Sequence, residues 1–125
     1  MNKKIFYFLL IFLALGKVGV GYCEPTRWVG FASYYTVKSS SGLTASVEKF
    51  NENALTCAIW NIPYGTILKV TNISNNKIVF VRVNDRGVAK RLLKQGRIID
   101  LTPRAFKKLA PLSQGLVRVK VEVVK

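Results

Sequence analysis

No histidine occurs in this 125-residue sequence, and cysteine occurs only at positions 23 and 57, so proton transfer near neutral pH would fall to carboxylates. Six are available: Glu24, Glu48, Glu52, Asp85, Asp100 and Glu122. Glu24 stands in a short polar stretch, Glu52 in the turn-like Asn51-Glu52-Asn53, and Glu122 on the polar side of an alternating run; these three read as solvated surface charges. Asp85 closes the run Ile78-Val79-Phe80-Val81-Arg82-Val83-Asn84, and strand alternation puts it on the side of Val79, Val81 and Val83, a carboxyl at the rim of an apolar face. Such a setting disfavours ionisation and suits a general acid; an ion pair with Arg86 or Arg97 is the plainer alternative. Asp100 follows Gly96-Arg97-Ile98-Ile99 just ahead of a helix signal, where free backbone N–H groups and the helix dipole also favour an anion. Glu48 lies in the loop-like Thr44-Ala45-Ser46-Val47-Glu48-Lys49-Phe50 and, taken alone, would be an ordinary surface charge.

Thiol chemistry is not expected. Cys57 has Leu55, Ala58 and Ile59 as neighbours, which suits an inert core thiol, and no histidine is present to activate it. The ligand-type residues have no metal-binding spacing, and no cofactor is implied.

These carboxylates have to be positioned by short β-type runs broken by turn residues, the pattern of a small sandwich or barrel. The strand candidates are Val29 to Tyr35, Ala54 to Ile59, Thr66 to Ile73, Lys77 to Asn84, Arg97 to Leu101 and Leu116 to Val124. Ser74-Asn75-Asn76 predicts a hairpin turn, because Asn tolerates positive φ. In the last run Val117, Val119, Val121 and Val123 share one face, and Arg118, Lys120 and Glu122 the other. A single helix is predicted from Pro103 to Leu109, with Thr102 as N-cap and Ala105, Phe106 and Leu109 as its apolar stripe.

The chain opens with Asn2-Lys3-Lys4 and an apolar run from Ile5 to Leu15, then Lys17 and several glycines. This is a signal-peptide pattern, too short for a stable membrane span. Cleavage fits after Gly21 or after Cys23; the first choice leaves Cys23 able to pair with Cys57, the second leaves Cys57 alone. Lipid anchoring through Cys23 is not expected, because the bulky Tyr22 precedes it. The organisation is therefore residues 1–23 as leader, 24–28 as linker and 29–125 as one β domain, which fits the length. The formal charge of +14 falls to +11 when Lys3, Lys4 and Lys17 leave with the leader. A field of that sign favours polyanions, and export makes these anionic envelope polymers rather than nucleic acid.

Several motifs occur in order: Gly30-Phe31-Ala32-Ser33-Tyr34-Tyr35, Thr44-Ala45 through Glu48 to Asn53-Ala54-Leu55-Thr56, Ile62-Pro63-Tyr64-Gly65-Thr66, Val70-Thr71-Asn72, Val81-Arg82-Val83-Asn84-Asp85-Arg86-Gly87, and Gly96-Arg97-Ile98-Ile99-Asp100-Leu101. Together, from about Gly30 to Val123, they resemble the rare lipoprotein A family of peptidoglycan lytic transglycosylases. The resemblance implies a six-stranded double-psi β-barrel, shared in outline with expansins, working as a monomer in the periplasm or cell envelope. It implies endolytic cleavage of the MurNAc-GlcNAc β-1,4 bond to give 1,6-anhydro-MurNAc ends, with Asp85 and Glu48 as catalytic carboxylates. Asp100 matches the groove aspartate of bacterial expansins, and Arg86 is suited to an N-acetyl carbonyl or a lactyl carboxylate. Tyr35 and Trp60 are the candidates for stacking on sugar, with core or rim packing as their alternative role. Family members usually carry Asp where this sequence has Asn51 and His where it has Ile59, which keeps open a non-catalytic, expansin-like wall-binding or wall-loosening module. Many relatives continue into a C-terminal peptidoglycan-binding domain; septal recruitment through such a domain is not expected from this sequence.

Overall fold

A computed structural model of the chain describes residues 26–36 and 42–125. The expected leader with its cleavage alternatives, Cys23, and Ser39-Ser40-Ser41 lie outside the described residues.

Among those described, six strands close a barrel: β1 (Arg27–Tyr34), β2 (Thr56–Ala58), β3 (Ile67–Asn72), β4 (Ile78–Asp85), β5 (Arg97–Leu101) and β6 (Val117–Val123). Their order around the barrel is β1-β5-β2-β4-β3-β6. β1 pairs with β5, and β2 with β4, in parallel; β1–β6, β2–β5, β3–β4 and β3–β6 are antiparallel. The halves are related by a pseudo-twofold exchange. β1 lies between β5 and β6 as β4 lies between β2 and β3.

Alternation builds the interior. Leu68 and Val70 of β3, Val79, Val81 and Val83 of β4, and Val117, Val119 and Val121 of β6 all turn inward. Each such aliphatic side chain contributes about 1.5–3 kcal/mol on burial. Ser74-Asn75-Asn76 does form the β3–β4 turn, with Asn76 at φ +63°. Asn72 and Asn75 donate from their side-chain amides to the Leu109 carbonyl, at 3.0 and 3.1 Å, which ties the hairpin to the end of the predicted helix segment.

Two helices occur among the described residues, not one: α1 (Lys90–Leu93) and α2 (Pro103–Lys107), with a 3-10 turn at Leu112–Gln114. Ala89-Lys90-Arg91-Leu92-Leu93-Lys94 is made of helix formers, but one turn is too short to show an apolar period. α2 starts as expected, its Thr102 side chain accepting from the Ala105 N–H at 3.2 Å, and buries Ala105 and Phe106. It stops earlier than Leu109 because the Lys108 N–H already turns back to Ala105.

β1 begins at Arg27, so Arg27 and Trp28 are strand rather than linker. Their pairing with Glu122 and Val121 extends the ladder to β6. β2 is shorter than the expected Ala54 to Ile59. No helix of the described residues is long and apolar enough to cross a membrane.

Candidate active site

The two aspartates meet across one short strand. Ala58 of β2 pairs with Asp85 of β4 on one side and with Asp100 of β5 on the other, and Asp100 pairs with Ser33 of β1. Ser33, Asp100, Ala58 and Asp85 thus form a row across four adjacent strands, with the aspartate backbones roughly 10 Å apart, two strand spacings. The row faces away from the interior, since the preceding register step (Cys57 with Leu101 and with Val83) is wholly buried.

The expectation that Asp85 shares a face with Val79, Val81 and Val83 is overturned. Cys57 pairs with Val83 and Ala58 with Asp85, so the pairing skips Asn84. This bulge buries Val83 and Asn84 in succession and turns Asp85 onto the outer face. Its Oδ1 accepts from the backbone N–H groups of Ala45 at 2.7 Å and Arg86 at 2.8 Å, and its Oδ2 from the Tyr35 hydroxyl at 3.2 Å. Among the described residues it has no ion pair: the Arg86 guanidinium donates to the Ile59 carbonyl at 3.1 Å and lies 4.0 Å from the Tyr64 ring centroid, and Arg97 donates to Ser33 at 2.7 Å. Burial, and then the neighbouring Asp85 charge, push the Tyr35 phenol well above its ordinary value, so it remains a donor. Its ring stacks on Phe50 with centroids 4.5 Å apart.

Asp100 is held differently. Its Oδ1 accepts from the Ser33 hydroxyl, and it leaves the capping of α2 to Thr102, so the helix-dipole reading does not describe it. Burial raises its carboxyl above the ordinary value; the Ser33 hydrogen bond and the Arg97 charge oppose this, and the Asp85 charge adds to it.

Glu48 is bound by side chains of β4. Both its oxygens are taken by Arg82, at 2.8 and 2.9 Å, and one also accepts from the Asn84 amide at 3.1 Å. These bonds, with Arg82 the largest cause, hold its carboxyl down to about 2. Cys57 is fully buried, and burial pushes its thiol up, as an inert core thiol requires.

A family model described as lytic transglycolase matches residues 28–121. The chain belongs to this family. The lytic transglycolase barrel is 42% identical over 95 residues to the endolytic peptidoglycan transglycosylase RlpA of Campylobacter jejuni, covering 76% of this chain and 33% of that protein. It is 43% identical over 96 residues to RlpA of Rickettsia bellii, covering 74% and 40%. The chain therefore spans about a third of the length of these curated relatives. Among solved structures, the Streptomyces papain inhibitor superposes with a TM-score of 0.63 at 26% identity, covering 79% of this chain and 94% of that one. A Clavibacter michiganensis expansin in complex with cellohexaose superposes with a TM-score of 0.59 at 19% identity, covering 79% and 50%, a likeness of fold.

In this lytic transglycolase domain, Ile59 stands at the position where the family resemblance implies His. It is 6% exposed and packs with the core, directly after Ala58, so the position is filled by apolar packing. The Trp60 indole N–H donates to the Val88 carbonyl at 2.6 Å, and Lys90 lies 4.9 Å from its ring. Of the expected residues, Tyr35 therefore bonds to Asp85, and Asp85 and Asp100 flank Ala58; Arg86 follows Asp85 but turns its guanidinium to Ile59 and Tyr64, Trp60 bonds to Val88, and Glu48 bonds to Arg82 and Asn84. Sequence reasoning missed Ser33, the Ala45 and Arg86 amides, and Gly87, where a Cβ would stand 3.5 Å from that of Ala58 and 3.8 Å from Asp100 Oδ2. Strand pairing brings Ser33 to the site and a loop contact brings Ala45, whereas Arg86 and Gly87 arrive with Asp85 as its chain neighbours.

Proposed function

We propose that this domain is an endolytic peptidoglycan transglycosylase of the cell envelope, cleaving the MurNAc-GlcNAc β-1,4 bond with Asp85 as its acid and base. The observation that carries the reading is the unequal environment of the two Asp85 oxygens. Oδ1 is committed to two main-chain N–H donors, whereas among the described residues Oδ2 meets the longer Tyr35 contact alone and is the oxygen that can carry a proton to substrate. The names of the curated relatives support the substrate.

In the proposed step the Asp85 carboxyl gives its proton to the glycosidic oxygen as the C1–O bond breaks, with positive charge developing on the MurNAc ring. GlcNAc leaves with a 4-hydroxyl. The Asp85 carboxylate then removes the proton of the MurNAc 6-hydroxyl as O6 bonds to C1. The acid is regenerated, no water is consumed, and the product is the 1,6-anhydro ring. The Tyr35 hydroxyl donates to the carboxylate between the two transfers. Asp100 and Arg86 hold sugar substituents beside it, with Arg86 preset by the Ile59 carbonyl and the Tyr64 ring.

Ile59 and Asn51 favour a second reading, a glycan-binding barrel that does not cleave. Mass spectrometry of purified sacculi incubated with the protein and with its Asp85→Asn variant separates the two. New anhydromuramyl ends from the unmutated protein alone are expected; binding without release would give the site to the second reading.

A further inference from the structure

Glu48 matches a family carboxylate expected to be catalytic, yet its geometry is that of a fastener. The segment Gly42–Phe50 folds back on itself through a bridge between Leu43 and Lys49 and the Phe50 N–H to Gly42 carbonyl bond of 3.0 Å. Inside it, Thr44 and Glu48 are tied together twice: the Thr44 N–H donates to the Glu48 carbonyl at 2.8 Å, and the Glu48 N–H to the Thr44 hydroxyl at 3.2 Å. Any shift of Glu48 is therefore passed to Thr44 and to the next residue, Ala45. The Ala45 N–H is the donor that reaches Asp85 Oδ1 at 2.7 Å from 40 positions away. The other main-chain donor, Arg86, is adjacent in sequence and stays whatever this segment does.

Besides the Ala45–Asp85 bond itself, two contacts fasten the segment to β4. The Ser46 N–H donates to the Asn84 carbonyl at 3.3 Å, a long bond, while the Glu48 carboxylate takes both guanidinium nitrogens of Arg82 and the Asn84 amide. A two-pronged charged contact fixes orientation as well as position. Arg82 and Glu48 side chains are 41% and 42% exposed, so the pair adds little to global stability and its value lies in geometry. The turn is also held against local preference, since the β-branched Val47, 72% exposed, sits at φ +73°.

We propose that Glu48 is a positioning residue: with Arg82 and Asn84 it latches Gly42–Phe50 onto β4 so that the Ala45 N–H holds Asp85 in its working orientation. The catalytic consequence rests on the transglycosylase reading above; the latch itself does not. Glu48 is then needed for its bonds to β4 and handles no proton of the substrate.

The test is a charge exchange, reading anhydromuramyl release and solvent exchange of the Ala45 amide by NMR in the whole protein. Glu48→Arg and Arg82→Glu should each lower release by about a hundredfold, the scale of an ångström-sized misplacement, and speed Ala45 exchange at least about tenfold as its hydrogen bond is lost. The E48R/R82E double variant restores the pair with its ends exchanged, and the Asn84 amide can turn its oxygen toward the introduced guanidinium. It should recover release to within about tenfold of the parent and restore the slow exchange. A folded double variant as inactive as Glu48→Arg would give Glu48 a chemical role and overturn the latch. If the unmutated protein releases no anhydro ends, the transglycosylase reading fails, and the amide alone judges the latch: unchanged Ala45 exchange in the single variants overturns it. Should Glu48→Arg not fold, Glu48→Gln and E48Q/R82Q replace the exchange, because two facing amides still bond; recovery in the double over Glu48→Gln is expected, and its absence overturns the latch.

Discussion

Asp85 and Asp100 flank the same alanine, one on each side, and are held in opposite ways. Asp85 leans on main-chain amides and leaves one oxygen lightly engaged; Asp100 has a serine hydroxyl as its partner, and burial raises its carboxyl above the ordinary value. The same side chain on one row of a sheet thus acquires two characters. Main-chain donors fix an orientation without adding net charge, whereas burial alters the cost of ionisation. The first suits a group that must meet a substrate oxygen in one geometry; the second keeps a carboxyl protonated to higher pH.

The contrast can be broken most directly by making each aspartate an asparagine. Asp85→Asn should lower anhydromuramyl release by at least about a thousandfold, the upper range for loss of a general acid, with sacculus binding retained. Asp100→Asn should cost only about tenfold. Equal losses in the same mass-spectrometric assay would erase the distinction.

Next in size is Ile59→His, which puts the residue that the family resemblance implies directly after β2, the strand between the two that carry the aspartates. Ile59 lies at 6% exposure among apolar neighbours, so an imidazole there should cost about 2 kcal/mol in urea unfolding, with no gain in activity. A variant as stable as its parent would show that the pocket accepts a polar ring.

Gly87→Ala sharpens the comparison from above. The added methyl makes ordinary contacts with Ala58 and Asp100 Oδ2, so the fold should stand. It stands over Ala58 beside the Asp100 carboxyl, and KM should rise by about tenfold, or about 1.4 kcal/mol of binding. An unchanged KM would place the glycan elsewhere.

The smallest effects separate Asp100 from Glu48 by the sign of their pH dependence. The folded state raises the Asp100 carboxyl above its ordinary 3.8, so its contribution is full below that value and declines as pH rises through the raised one. Asp100→Asn should therefore melt higher than the parent at pH 7, an advantage that fades toward pH 4. Glu48 is lowered from 4.5 to about 2, so its contribution is present above 4.5 and is lost as pH falls through 2. Glu48→Gln should melt lower at pH 7 and converge with the parent in acid.

Much of the barrel was legible in residue patterns. The valine alternation of β6, the Ser74-Asn75-Asn76 turn and the Thr102-Pro103 helix start are local signals, each set by side-chain direction or backbone preference over a few residues. The carboxylate inventory also narrowed itself, because a chain without histidine leaves few acids to choose from. Local pattern misled at Asp85, since the bulge at Asn84 arises from pairing with β2 and leaves no mark in β4. It was silent on the single turn of α1, and it offered no way to tell Glu48 in a charged clasp from Glu48 on a substrate.

By itself, then, the sequence determined which side chains could carry protons, where the turns and the helix start fall, and which faces of the strands are apolar. These properties depend on residue type and on neighbours within a few positions. Only the tertiary structure decided that Ala58 separates the two aspartates, that the Ala45 amide reaches Asp85, and that Glu48 answers to Arg82. Those relations join residues 27 to 42 positions apart, and strand pairing across a closed barrel, with its bulges and the loop seated on it, sets them by a register that no local stretch encodes.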